Sequence, residues 1–133
     1  MKHKQPFAVI ALTAMLCACA VTPGGGDPVV INAEKTTALA VDTFDSFLQY
    51  EYNNRAALES VSPAIHEYAN YVRANGQKWL QTARSMTQAY KHNRDENNKA
   101  NLTTAISTLQ EAVNQISKYM ATGTASLKKA KRH

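Results

Sequence analysis

The chain has 133 residues, with fifteen Lys and Arg against ten Asp and Glu and a formal net charge of +5. That length holds one small domain. With 44% hydrophobic and 19% charged residues, five Gly and four Pro, the chain as a whole is neither disordered nor fibrous.

Residues 1–5 carry Lys2 and Lys4, Phe7 to Leu16 is apolar except for Thr13, and Ala18-Cys19-Ala20 precedes Pro23 and three glycines. This order reads as a bacterial export signal. The apolar run falls short of the roughly 20 residues that cross a bilayer as a helix, so a cleaved signal is expected rather than a permanent span.

Leu16-Cys17-Ala18-Cys19 resembles the lipobox of bacterial lipoproteins, in which a Leu lies three residues before the lipidated Cys and a small residue directly before it. The resemblance implies a signal peptide over 1–18, a palmitate-bearing Cys19 as the new N-terminus and attachment to a membrane. Ala20 after the Cys, in place of Asp, resembles the signal for transfer to the outer membrane, facing the periplasm. Cys17 departs from the pattern, where Ala, Ser or Thr is commoner. Ordinary secretion with cleavage after Ala20 is the competing reading, because Ala18-Cys19-Ala20 also satisfies the small-x-small rule. Under either chemistry the mature chain keeps no pair of thiols for an internal disulfide, so its core alone must hold it.

Residues 19–32 read as a flexible linker, from the prolines and glycines of Val21 to Pro28. A helical domain is expected over 33–122. In its first helix, about 33–60, Val41, Phe44, Phe47, Leu48, Tyr52 and Leu58 fall on one side. Ser62-Pro63 then supplies a capping oxygen and a proline whose missing N–H costs nothing in a first turn. From 63 to 91, Ile65, Tyr68, Ala69, Val72, Gly76, Trp79, Ala83, Met86 and Tyr90 form one stripe. Gly76 within it points either to a close approach by a neighbour or to a kink. A polar break follows, with Asn93 and Glu96 at capping-box-like spacing. The third helix, about 96–122, carries Leu102, Ala105, Ile106, Leu109, Ala112, Val113, Ile116, Tyr119 and Met120 in phase. Gly123 and its flanking threonines weaken the pattern, and residues 123–133 read as a basic C-terminal tail. The expected fold is all-α, an antiparallel up-down-up three-helix bundle after a signal peptide and flexible linker.

Glu51 and Arg55 lie four apart in the middle of the apolar side of the first helix, where polar residues need a reason. An ion pair shielded by the bundle, completed by tyrosine hydroxyls or backbone groups, is one reading. An inward-facing site for a polar ligand or a partner's charged group is the other. Tyr68, Trp79, Tyr90 and Tyr119 on the stripes fit bundle packing, or stacking on a sugar or peptide. His66-Glu67-Tyr68-Ala69-Asn70 starts like the zinc-protease helix motif, but Asn70 stands where the second imidazole is needed. No metal and no cofactor are expected. The chain has no G-x-S-x-G elbow, P-loop or dinucleotide fingerprint, and no enzymatic activity is expected.

Lys128, Lys129, Lys131 and Arg132 give the C-terminus four fixed positive charges and no acid. They read either as a frayed solubilising tail or, in an exported protein, as a group that meets anionic headgroups, lipopolysaccharide or wall polymers rather than nucleic acid. Of the charge excess of five, two belong to the discarded signal and four to this tail, so the domain between them stands at −1. The expected role is that of a lipid-anchored, non-enzymatic cell-envelope protein whose bundle engages an envelope protein or anionic polymer. The alternatives are a binding module for an anionic or small envelope ligand, and a small phage-type inhibitor or exclusion lipoprotein.

Overall fold

The computed structural model describes residues 26–132. The signal peptide, Cys19, the linker as far as residue 25, and His133 lie outside the described residues. Three helices make up nearly all of the rest: α1 (Pro28–Val61), α2 (Pro63–His92) and α3 (Glu96–Ala130). At 1.5 Å per residue they run about 45 to 52 Å. Each packs against the other two.

Connections of one and three residues force the neighbours antiparallel, and pairs at the two ends confirm the direction. Lys91 Nζ near the end of α2 lies 2.5 Å from Glu34 near the start of α1. Gly123 near the end of α3 faces Tyr50 and Leu58 of α1 and Ile65 of α2. The up-down-up three-helix bundle expected from the sequence is the fold.

The core is a single column of small and branched side chains. Ala33, Ala40, Phe44, Phe47 and Leu58 come from α1, Ile65, Ala69, Val72, Leu80 and Ala83 from α2, and Leu102, Leu109, Ala112 and Ile116 from α3. Their three- and four-residue spacing is the pattern that made the sequence read as helical. Gly76 sits opposite Phe44: a Cβ there would lie 3.1 Å from the phenyl ring. Close approach, rather than a kink, accounts for that glycine, and α2 runs unbroken through it.

The starts of all three helices depart from expectation. α1 begins at Pro28, five residues before the first helix was expected to start. Asp27 caps it, its Oδ1 accepting from the Val29 N–H at 2.9 Å, with Pro28 in the first turn. At the α1–α2 junction Ser62 makes no side-chain cap. The proline does the work there, because a residue before proline is pushed out of the α region, and Ser62 sits at φ −161° and ψ 66°. At α3 the cap is Asp95 rather than Asn93, its Oδ1 accepting from the Asn98 N–H at 2.7 Å.

The largest difference is at the C-terminus. α3 continues past Gly123 to Ala130, so most of the expected tail is helix. Gly123 is buried, and a Cβ on it would stand 2.5 Å from the Tyr50 Oη and 2.6 Å from Ile65 Cδ1. Here the glycine admits a neighbour instead of ending the helix. The Tyr50 hydroxyl is itself buried with no hydrogen-bonding partner among the described residues. Gly123→Ala is therefore expected to destabilise the bundle by about 1 to 2 kcal/mol, overpacking outweighing the gain in helix propensity. Tyr50→Phe removes the obstructing atom together with an unsatisfied polar group. It should be tolerated alone and should recover stability in the double variant. Urea midpoints decide, and a Gly123→Ala protein more stable than wild type contradicts this packing.

Candidate functional site

Helical geometry brings Glu51 of α1 against the first turns of α2, and the carboxylate is fully buried. Arg55, one turn on, donates from Nε to Oε1 at 2.9 Å and from Nη2 to Oε2 at 3.2 Å. The His66 Nδ1 donates to Oε1 at 2.6 Å, and Arg73 Nη2 donates to Oε2. Asn70, between them on the same face of α2, closes a ring. Its carbonyl accepts from Arg73 at 2.8 Å, which leaves its amide nitrogen to donate to His66 Nε2 at 3.2 Å. That order fixes the imidazole in its Nδ1–H tautomer.

The ion pair between Glu51 and Arg55 expected from the sequence is present, but its completion differs. His66 and Arg73 supply it, where tyrosine hydroxyls or backbone groups were expected. Arg55 first, then Arg73 and His66, hold the Glu51 carboxyl down to about 2 against the opposing effect of burial. Each carboxylate oxygen accepts two hydrogen bonds, so no lone pair remains for a ligand. An acid this strong also has no proton to deliver near neutrality. The cluster's chemistry is to lock α1 onto α2. Its guanidinium groups, Arg55 at 42% and Arg73 at 33% side-chain exposure, reach water.

Tyr52, expected on the apolar side of α1, is 71% exposed instead. Its ring lies under the Arg55 guanidinium, 5.7 Å from centroid to carbon. His92 ends α2 exposed, and no group of His, Cys, Asp and Glu able to hold a metal occurs among the described residues. Lys128 and Lys129 lie exposed in the last turn of α3, where positive charge complements the helix dipole, and Lys131 and Arg132 follow it, also exposed.

A second feature lies between α2 and α3. Tyr68, Tyr71 and Trp79 from α2 and Tyr119 from α3 form one wall of an open cleft of about 380 Å³, and Thr108, Glu111 and Gln115 of α3 supply its polar side. Tyr68 stacks on Tyr119 with centroids 4.8 Å apart, and Tyr71 meets Trp79 edge-on at 5.4 Å. Trp79 also meets Phe44 at 6.1 Å, which ties the wall to the core. Tyr71 is 52% exposed. Burial, then the neighbouring Tyr71, Tyr119 and Glu111, push the Tyr68 phenol up, so Tyr68 presents a hydroxyl rather than a phenolate.

Three of the four stripe aromatics marked in the sequence thus meet in one place; Tyr90 is buried further along α2 and is not part of the cleft. Tyr71, Thr108, Glu111 and Gln115 were missed. The seven-residue span of Thr108, Glu111 and Gln115 puts them on one face of a helix, and that spacing was the available signal. No protein-family model, curated protein or solved structure matches this chain.

Proposed function

We propose that the protein is a lipid-anchored, non-enzymatic binding module of the bacterial cell envelope, attached through Cys19 to the outer membrane and facing the periplasm. The observation that carries the binding role is the aromatic cleft between α2 and α3. It combines stacking surface with a few polar groups in a volume suited to a small ligand or a partner's side chain. The anchor rests on the lipobox-like Leu16 to Cys19. No helix among the described residues is long and apolar enough to cross a membrane.

In this reading the nine residues from Cys19 to Asp27 let the start of α1 stand at most about 30 Å from the lipid. That is shorter than a linker to residue 32 would allow. The cationic end of α3 lies at the opposite pole of the bundle, beside the end of α1. In this reading the partner of Lys128, Lys129, Lys131 and Arg132 is an anionic polymer away from the anchoring membrane, rather than that membrane's own headgroups.

Labelling with an alkyne analogue of palmitate tests the anchor. Wild type is expected to take the label and Cys19→Ala to lose it; label retained by the variant overturns the anchor. A photo-crosslinking residue at Gln115, in the cleft, is expected to give a discrete adduct in cells. The same residue at Asn53, exposed on α1, should give none.

A further inference from the structure

The charges around the cleft restrict what can enter it. Its lining holds four aromatic rings, three of them phenols, with one carboxylate, one amide and one aliphatic hydroxyl, and no Lys, Arg or His among them. Aromatic faces carry negative quadrupole charge, and Glu111 adds a full negative charge on the facing helix. Arg55 and Arg73 are held at Glu51, and the last turn of α3 holds the basic cluster; Lys78 and Lys118, next in the chain to Trp79 and Tyr119, are not among the lining residues. In a chain of positive net charge, this cleft is a negative, ring-lined recess.

Resting on the reading of the cleft as the binding face, we infer that its ligand is an organic cation: a quaternary or primary ammonium group seated against Tyr71, Trp79 and Tyr119 and neutralised by Glu111. A cation within about 6 Å of such rings is attracted by their quadrupoles. A phosphate or carboxylate would meet the rings and Glu111 with no positive charge in the lining to compensate. A neutral group of the same shape would gain the apolar contact and lose the electrostatic part. Envelope sources of such a cation are a lipid headgroup and the side-chain amine of a peptide or polymer.

Trp79 is the chain's one tryptophan and lies in the wall, so its fluorescence reports occupancy directly. The full-length protein is titrated with choline chloride, against sodium chloride at equal ionic strength and against 3,3-dimethylbutan-1-ol, the uncharged isostere. Choline is expected to give a saturable change, with binding of the isostere roughly tenfold weaker. Tyr71→Ala and Glu111→Gln both alter exposed side chains. Each should leave the helical circular dichroism intact and weaken choline binding several-fold. A linear response to choline, equal binding of the isostere, or full affinity in both variants overturns the inference. Comparing phosphocholine vesicles with a lysine-containing peptide as probes then separates the two sources. The outcome is independent of the Cys19 labelling, so failure of the anchor and failure of the ligand class are distinguishable.

Discussion

Replacing Arg55 and Arg73 together by Ala is expected to destabilise the bundle by about 3 to 5 kcal/mol, the range for leaving a buried charge without its partners. Against a domain stability of about 5 to 15 kcal/mol, that is a large fraction. Replacing the carboxylate itself, Glu51→Leu, should cost less, because it leaves no buried charge behind. The asymmetry follows from where the groups sit. Glu51 is fully buried and cannot find water once its donors are gone, whereas both arginines already reach the surface. With Glu51 absent they turn outward on their long stems, and Leu fills the vacated space. Combining Glu51→Leu with the two Ala changes should recover stability relative to the double-arginine variant, because no uncompensated charge then remains. Chemical denaturation at neutral pH gives the ranking. If Glu51→Leu proves the more damaging change, the ring is not the support for a buried carboxylate described above.

The helices were legible because their buried faces repeat at helical spacing over about 30 residues each, and the inversion of direction followed from short polar breaks. Their ends were less legible, for local reasons. Asp27-Pro28 carries the same capping signal as Ser62-Pro63, but three preceding glycines made the segment read as linker. Gly123 read as a helix breaker because its cost in propensity is local, about 1 kcal/mol. What outweighs that cost is packing against Tyr50 and Ile65, residues 73 and 58 positions away in the chain. No window along α3 contains that information.

The same limit explains the sites. Glu51 and Arg55 stood out because both lie on one helix. His66, Asn70 and Arg73 share a face of α2 at four- and three-residue spacing, yet nothing in α2 alone says that a carboxylate stands opposite. Once Asn70 had excluded a zinc-protease reading, His66 had no partner in view. The partner is fifteen residues earlier, across the helix junction. The cleft is harder still, since its rings come from two helices, Tyr68, Tyr71 and Trp79 from α2 and Tyr119 from α3, and each set alone resembles ordinary packing or ordinary surface.

Acid should destabilise the bundle through Glu51 in a defined window. Its carboxyl is held at about 2 when folded, against 4.5 for the ordinary group, chiefly by Arg55 and then by Arg73 and His66. A group whose folded value is depressed contributes stability that is present above the unfolded value and lost as pH falls through the folded one. The contribution is therefore complete above pH 4.5 and disappears between there and about pH 2. Its size is roughly 3 kcal/mol, from about 1.4 kcal/mol per tenfold change in proton affinity. Other carboxylates titrate in the same range, so the measurement is a difference. Unfolding free energies of wild type and Glu51→Gln are followed by chemical denaturation from pH 5 to pH 2. Wild type is expected to start above the variant and to converge on it as the acid limb is descended, because protonation turns Glu51 into the neutral group that Gln already is. Parallel curves across that window would mean that Glu51 is not held ionised by its three partners.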